Sequence, residues 1–311
     1  MTLRMRMLRL LAGAALLATL LAALFAVVIP AIHRWGATDA EIARAMPGDD
    51  QLPHPAVTWT NAIDISAPPA QVWPWVAQLG DTRGGFYSFT FIENRVGALT
   101  GASDYAVVYR NADRIVPAWQ HPAPGDSLIQ GTLNIRAVQP GAWLLADATQ
   151  PEVFGWTWLW QLDPIDGRAH TRMINRMRIQ LPNEAANPVS SFMLDIGGFV
   201  MQQRMLQGIK LRAEGGVEPW WMERAEISLW LTAVLCGLIA AVLFVFRPAW
   251  RRPLAVASAA VVALFILTFV QPPIAVRVVL DAALIGATWW AYRAAKPSQS
   301  AAPRVRATSP I

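Results

Sequence analysis

Four side chains between residues 87 and 114 could act as acids or bases: Tyr87, Glu93, Asp113 and Arg114. Such groups can contribute to acid–base catalysis in an enzyme, provided that they face the substrate. Three of them also have a structural interpretation, with Asp113 and Arg114 as a salt bridge in a loop and Glu93 as a charge on a helix surface. We favour that interpretation for these three residues, and catalysis stays an alternative.

A second group of candidates could form an apolar binding site instead. In FGWTWLWQL, period-2 alternation places Trp156, Trp158 and Trp160 on one face of a predicted strand, together with Phe154. Such a wall either lines a cavity or packs in an ordinary core, and the sequence leaves both open. The remaining candidates for an apolar lining are Trp75, Met173 and Met193.

The stretch TRMINRMRI combines apolar and basic side chains. Met173, Met177 and Ile179 alternate with three arginines, which are Arg172, Arg176 and Arg178. We expect the methionines to face inward and the arginines to face outward. The alternative is a buried arginine that reaches the acidic group of a ligand.

The stretch LGDTRGGFYSFTFIENRVG, residues 79–97, could be a nucleic-acid-binding segment, a phosphate loop, the mouth of a pocket or a turn. It lacks the Gly-x-x-x-x-Gly-Lys-Ser/Thr pattern of a phosphate loop. The chain must reverse sharply here, so we expect a positive φ at Gly84 or Gly85. We place Tyr87 at the entrance of a cavity, with a simple turn as the alternative.

The net charge of +5 combines two regions of opposite sign. Residues 35–220 carry 13 Lys and Arg against 18 Asp and Glu, a net of −5, and the remainder carries 13 against 3, a net of +10. The acidic region should repel a phosphate backbone, so we expect no nucleic-acid partner. The single cysteine and the four scattered histidines form no metal-ligand spacing, so we expect neither a metal nor another cofactor.

Four apolar runs predict transmembrane helices, because about 20 apolar residues cross a bilayer. They are residues 10–32, 227–246, 254–270 and 274–292. A signal peptide is the alternative for the first run, but its apolar core is usually only about 7–15 residues long. The predicted organisation is an anchor at 1–34, a folded domain at 35–220, three transmembrane helices at 221–295 and a disordered tail at 296–311.

Arginine clusters predict the orientation of these helices. One cluster precedes the first helix, one links the second and third helices, and one follows the fourth. Four spans bring all three clusters to one side, which should be cytoplasmic. The sequence therefore predicts a multi-pass cell membrane protein with both termini cytoplasmic and its folded domain extracytoplasmic.

The fourth run contains an ionisable pair, Arg277 and Asp281, four residues apart. Side chains at this spacing can meet on one helix face. We favour an interpretation in which Arg277 extends to the membrane surface and Asp281 pairs with it. A functional site is the alternative, since charges inside membranes are rare.

The folded domain has the pattern of an α+β protein. The predicted elements are a strand at 57–66, a helix from Pro69 to about Gly80, a short helix at 89–97, a loop at 98–126, strands at 127–138, 142–149, 153–162 and 169–181, and a long helix from Pro188 to Glu214. This order describes an antiparallel sheet around a C-terminal helix. Gly197 and Gly198 in the long helix indicate close approach of another backbone, or room for a ligand.

Over residues 57–214 the sequence resembles the START-like (SRPBCC) superfamily, in its polyketide cyclase/dehydrase and lipid-transport branch. The resemblance rests on APPAQVWPWVAQLGDTRGGFYSFTFIEN, NADRIVPAWQ, the Trp-rich strand, TRMINRMR and FVMQQRMLQGIKLRAE. It implies a helix-grip fold with a deep apolar cavity that holds a lipid or another hydrophobic molecule. It transfers no set of catalytic residues.

These observations lead to one expectation and two alternatives. We expect a membrane-tethered, extracytoplasmic domain that binds a hydrophobic small molecule or lipid, more a binding protein than an enzyme. The first alternative is a cyclase, dehydratase or hydrolase acting on a hydrophobic substrate. The second is a membrane component that contacts another protein and binds no ligand.

Overall fold

The computed structural model describes residues 3–99, 111–148, 154–180 and 188–294. The chain divides into two compact units. One comprises Phe25–Met222, and the other comprises Met1–Leu24 with Glu223–Ile311. The chain is an α+β protein in which the sheet belongs to the first unit and most of the long apolar helices belong to the second.

The first unit contains a six-stranded antiparallel sheet with the order β1-β6-β5-β4-β3-β2. The strands are β1 (Val57–Ile65), β2 (Ser127–Ile129), β3 (Leu133–Gln139), β4 (Trp143–Ala148), β5 (Gly155–Ile165) and β6 (His170–Gln180). Its helices are α2 (Asp39–Ala43), α3 (Pro69–Ala77), α4 (Thr90–Leu99) and α5 (Pro188–Ala213). The predicted α+β class and antiparallel sheet are confirmed.

One predicted strand is two strands. The chain turns at Gly131, whose φ is +73°, and the Thr132 amide donates to the Ile129 carbonyl. Strands β2 and β3 therefore form a hairpin where the apolar pattern predicted one continuous strand over 127–138. The glycine supplies the positive φ that the turn requires.

The main core of this unit lies between the inner face of the sheet and the helices α3 and α5. Alternate residues of the strands face it, including Trp59 on β1, Trp160 on β5 and Met173 on β6. Leu206 and Ile209 of α5 belong to the same buried cluster. Period-2 and helical spacing therefore direct the apolar faces of both element types into one core.

The outer face of the sheet is covered by the segment that precedes β1. Helix α2 within it begins with a capping box, in which the Thr38 side chain and Glu41 exchange hydrogen bonds with each other's backbone. After this helix, Met46 packs against Leu145, Leu159 and Ile174 in a small second core. The apolar pattern of the sequence does not predict this cover.

Four helices are long and apolar enough to cross a membrane: α1 (Leu3–Ile32), α6 (Met222–Phe246), α7 (Arg251–Phe265) with the π-helical turn that continues it to Val270, and α8 (Ile274–Ala294). Small residues dominate the buried cluster of the second unit, among them Ala233 of α6, Ala257 and Ala260 of α7, and Ala291 of α8. Small side chains let the backbones of membrane helices approach closely. The four predicted spans are thus found as helices.

Candidate functional site

An aromatic wall lies on the inner face of β5, as the alternation predicted. Trp156 and Trp158 stack with ring centroids 5.6 Å apart, and Trp158 lies 4.3 Å from Trp160. The Phe86 ring also stacks on Trp158, with ring centroids 5.6 Å apart. Trp160 is fully buried and Trp158 is 8% exposed, whereas Phe86 and Trp156 are only partly buried. The wall therefore runs from the closed core towards an accessible end.

A buried polar network crosses the same inner face. The Asn61 amide donates to Gln202 Oε1 of helix α5 at 2.7 Å, and the Gln202 amide donates to Asn175 Oδ1. Trp158 Nε1 donates to the same Asn175 oxygen at 3.0 Å, and Asn175 Nδ2 donates to the Leu159 carbonyl at 2.8 Å. This network ties β1, β5, β6 and α5 together, and none of its polar residues was identified from the sequence. The sequence contains one sign of this network. Asn61 and Asn175 each occupy an inward-facing position of a strand, and the inward-facing residues on either side of each are apolar.

Three other indole groups on this inner face have no such partner. Within the described residues, the Nε1 atoms of Trp59, Trp156 and Trp160 are buried and have no hydrogen-bond acceptor. A buried donor without an acceptor typically costs about 1–3 kcal/mol. The inner face therefore offers unpaired donors beside a wall of aromatic rings.

Tyr87 is fully buried, so its expected position at a cavity rim is wrong. Its hydroxyl accepts from Gln78 Nε2 at 2.9 Å and donates to the Trp75 carbonyl at 3.1 Å. Its ring lies 4.7 Å below the Arg212 guanidinium, and burial raises the pKa of the phenol above its usual value. The residue has satisfied partners inside the core, which the local sequence could not reveal.

The Arg-Gly-Gly stretch is a tightly packed turn. Gly85 has a φ of +77°, so the predicted positive φ at one of the two glycines is confirmed. A Cβ at Gly84 would lie 2.6 Å from the Gln78 carbonyl oxygen. The Asn111 side chain accepts from the Tyr87 amide at 2.8 Å and donates to the Ser88 carbonyl at 2.8 Å. These contacts hold the turn in place by local hydrogen bonds.

The other predicted site residues are dispersed. Met173 is fully buried on the inner face. Trp75 is half-buried, and its ring contacts the Tyr87 ring edge to face, with centroids 5.9 Å apart. Glu93 is half-buried near the start of α4, and both Asp113 and Arg114 are exposed. The side chain of Met193 lies outside the described residues. A role for any of these residues in ligand binding stays a prediction.

The three arginines of β6 face outward, as expected, but they are not free. Arg172 binds Glu41 through Nε and Nη2, at 2.7 and 2.9 Å. Arg176 is 4% exposed, and its Nη1 lies 2.7 Å from Asp49, whose other oxygen lies 3.1 Å from Arg178 Nη1. Burial lowers the pKa of Arg176, while the hydrogen bond from Arg172 lowers the pKa of Glu41 to about 2. The arginine row thus fastens the N-terminal segment to the sheet.

A groove of about 490 Å³ opens beside this row. Its lining residues are His33, Arg34, Ile42, Ala43, Arg44, Ala45, Asp49, Thr58, Thr60, Arg176 and Arg178. The four arginines each have a carboxylate partner, with Arg34 on Asp39 and Arg44 on Asp163. An anion would have to displace these pairs, so we interpret the groove as part of the structural cover.

The glycines of α5 divide this helix into an open and a closely packed part. A Cβ at Gly197 or Gly198 would meet no atom within 4 Å, so close approach of a backbone does not explain them. A Cβ at Gly208 would lie 2.3 Å from the Tyr87 carbonyl oxygen. Close backbone approach is therefore found at Gly208 and not at the predicted glycine pair.

No family model and no curated protein matches the sequence. Among solved structures, the chain is similar to a protein from Thermobifida fusca whose solution NMR structure was determined by the Northeast Structural Genomics Consortium. The match covers 52% of this chain and 97% of that chain, with 13% sequence identity and a TM-score of 0.29. A similarity at this level carries no argument about fold or function.

Proposed function

We propose that the unit formed by residues 25–222 binds a hydrophobic small molecule or a lipid between the inner face of its sheet and helix α5. The observation that carries this proposal is the set of unpaired indole donors at Trp59, Trp156 and Trp160, found among the residues that the structure describes. In native proteins, the large majority of buried side-chain polar atoms have a hydrogen-bond partner. A ligand with an acceptor oxygen would provide partners for such donors.

The aromatic wall supports an apolar body for this ligand. Phe86, Trp158 and Trp156 form a continuous stack, and the outer two members are only partly buried. Covering such surface contributes about 25 cal/mol for each Å² of apolar area removed from water. A flat or chain-like hydrophobic molecule with one or two acceptor groups fits this combination.

The polar network supports a fixed orientation for the bound molecule. Asn175 and Gln202 hold Trp158 through the hydrogen bond at its Nε1 atom, which fixes the plane of the central ring. Ligand sites commonly combine an apolar lining with a few polar groups that set orientation. We therefore assign Trp156 and Trp160 to ligand contact and Asn175 to positioning.

A helix-grip fold of the START-like kind forms part of the proposal. The strand order β1-β6-β5-β4-β3-β2 and the packing of α5 on the inner face are compatible with it. The resemblance of the sequence to that superfamily implies a ligand between the sheet and the long helix. The same resemblance includes enzymes, but the Tyr87 hydroxyl is already engaged by Gln78 and Trp75. Binding is therefore the better supported function.

The arginine clusters support a placement of this domain outside the cytoplasm. Arg9, Arg251 and Arg293 represent the three clusters that flank the apolar helices. The preference of basic residues for the cytoplasmic side would leave residues 33–221 on the other side. The proposed protein is a membrane-tethered carrier or sensor of a hydrophobic molecule, with both termini cytoplasmic.

Native mass spectrometry of the full-length protein in detergent tests the binding proposal. We expect the wild-type protein to retain a small molecule and Trp156→Ala to lose it. The matched control is Trp143→Ala, which removes a half-buried tryptophan from the outer face of the sheet. Lipids held by the membrane helices should persist in both variants. Equal retention in the wild type and in Trp156→Ala, or no bound molecule in the wild type, would refute the proposal.

A further inference from the structure

Three ionisable side chains are buried in the helical unit formed by residues 3–24 and 223–294. Glu226 of α6 is 6% exposed, and Arg277 and Asp281 of α8 are 4% and 2% exposed. Ionisable residues inside membrane helices are costly and generally have a function. Their contacts decide what that function is.

Arg277 does not pair with Asp281, so the pairing favoured from the sequence is wrong. Arg277 Nη2 lies 3.2 Å from Glu226 Oε1, and Nε donates to the Pro272 carbonyl at 2.6 Å. The preferred partner thus comes from a neighbouring helix. Spacing along one helix could not reveal this helix–helix contact.

Asp281 is the group left without a partner. Within the described residues, neither of its carboxyl oxygens has a hydrogen-bond partner, although the side chain is almost fully buried. An ionised carboxylate in such surroundings would carry a large desolvation cost with no compensating bond. A protonated carboxyl avoids most of that cost.

Arg277 is nevertheless within range of Asp281. Residues four apart on a helix have Cβ atoms about 5–6 Å from each other. Helical side chains lean towards the N-terminal end, so the Asp281 side chain leans towards the turn that carries Arg277. One guanidinium therefore has two carboxyl groups within reach, and it is bound to only one of them.

The other charged groups near the described helices of this unit are less buried, and two of them lie within one turn of Glu226. Glu223 and Arg224 lie in the first turn of α6, and α7 has no ionisable residue after Arg252. Arg293 follows Asp281 by 12 residues on α8, about 18 Å along a helix axis. In α1, Arg9 donates to the Arg247 carbonyl just after the end of α6. Among the described residues of this unit, the buried Asp, Glu, Lys and Arg side chains are therefore Glu226, Arg277 and Asp281, which are two acids and one base.

We propose that Glu226, Arg277 and Asp281 form a proton-binding site, in which Asp281 carries one proton while Arg277 pairs with Glu226. Binding of the proton neutralises the excess negative charge of the cluster. Release of the proton leaves two carboxylates that compete for one guanidinium, so Arg277 shifts towards Asp281. The ligand of this site is the proton, and the moving part is the Arg277 side chain.

Infrared spectroscopy of the full-length protein in lipid bilayers tests this proposal. We expect a C=O stretching band from a protonated carboxyl at neutral pH, and its loss in Asp281→Asn. Isotopic labelling of the aspartate side-chain carbon should shift this C=O band in the wild-type protein. The band can then be assigned to an aspartate even if Asp281→Asn does not fold. Absence of the isotope-shifted band at neutral pH would overturn the proposal.

A second variant tests the shared guanidinium. Glu226→Gln removes the charged partner of Arg277, so we expect Arg277 to pair with Asp281, Asp281 to ionise and the band to disappear. Glu223→Gln, in the same turn of α6, is the matched control and should leave the band unchanged. A band that persists in Glu226→Gln would contradict the claim that Glu226 and Asp281 compete for the Arg277 guanidinium.

Discussion

The two faces of strand β6 differ in how completely their buried polar groups are hydrogen-bonded. On the outer face, Arg176 makes five hydrogen bonds through its guanidinium, to Thr60, Asp49 and three backbone carbonyls. On the inner face, Asn175 is bonded, yet the indole donors of Trp156 and Trp160 on the adjacent strand have no acceptor within the described residues. The saturated network on the outer face fastens the N-terminal segment to the sheet, whereas the unpaired donors on the inner face are the basis of the binding that we propose.

Replacement of the saturated arginine should have the largest effect. Arg176→Met leaves three backbone carbonyls without their donor and Asp49 with one arginine fewer. We expect a loss of about 3–5 kcal/mol in the free energy of unfolding, the usual result when one partner of a buried ion pair is removed. Chemical denaturation of the full-length protein in detergent measures it.

The control for this prediction is Arg34→Met. Arg34 pairs with Asp39 on the surface, with side chains 49% and 90% exposed. An exposed pair contributes at most about 1 kcal/mol. Equal losses of stability in both variants would contradict the inference that the hydrogen bonds of Arg176 hold the N-terminal segment on the sheet.

Acid should loosen the same fastening through Glu41. Its pKa is about 2 in the folded protein against 4.5 as the reference, because Arg172 donates hydrogen bonds to it. Since the folded-state pKa is the lower one, the contribution of Glu41 to stability is complete above pH 4.5 and falls as the pH decreases towards 2. We expect a loss of up to about 3 kcal/mol over this window, because each tenfold difference in proton affinity between the folded and unfolded states corresponds to about 1.4 kcal/mol.

Unfolding free energies measured between pH 4.5 and 2 check this prediction. Glu41→Gln removes the titrating group and should flatten the profile relative to the wild type. Arg172→Met removes the hydrogen-bond donor and should flatten it in the same way. If Glu41→Gln had the same pH profile as the wild type, the acid-induced loss of stability could not be assigned to Glu41.

Two glycines of α5 extend the comparison to the helix that covers the inner face. Gly208→Ala would bring a Cβ within 2.3 Å of the Tyr87 carbonyl oxygen, whereas Gly197→Ala would meet nothing within 4 Å. We expect Gly208→Ala to destabilise the protein by about 1–3 kcal/mol through overpacking. Gly197→Ala should stabilise it by up to about 1 kcal/mol through helix propensity. Thermal unfolding of both variants is the measurement, and equal shifts would contradict the distinction.

The sequence predicted those parts of the molecule that depend on periodicity. Alternation placed Trp156, Trp158 and Trp160 on one face, and long apolar runs, the fourth of them containing an ionisable pair, located the four long helices. The outward direction of Arg176 followed from the same alternation. These features depend on which side of a strand or helix a residue occupies, and the spacing of neighbouring residues along the sequence determines that side.

Features that depend on a partner distant in the sequence were not predictable in this way. Tyr87 is buried because Gln78 and the Trp75 carbonyl satisfy its hydroxyl, and Arg277 turns to Glu226 on another helix. The cover over the outer face had one readable signal, the Thr38-x-x-Glu41 capping box, which the apolar pattern did not highlight.

The smallest effect should come from a pair of variants that separates bonded from unbonded indoles within the wall. Trp158→Phe removes a donor that is bound to Asn175 at 3.0 Å, whereas Trp160→Phe removes a donor with no acceptor in the described residues. The change of ring is the same in both, so their difference in unfolding free energy should approximate one hydrogen bond, about 0.5–1.5 kcal/mol, with Trp158→Phe the less stable. If the proposed ligand accepts a hydrogen bond from the Trp160 indole, its retention should show the opposite order, with Trp160→Phe retaining less. Denaturation and native mass spectrometry on the same preparations give both values. If Trp160→Phe were the less stable variant and retained the molecule as well as the wild type does, then the inner face would be an ordinary core, since its unpaired donor would serve neither folding nor binding.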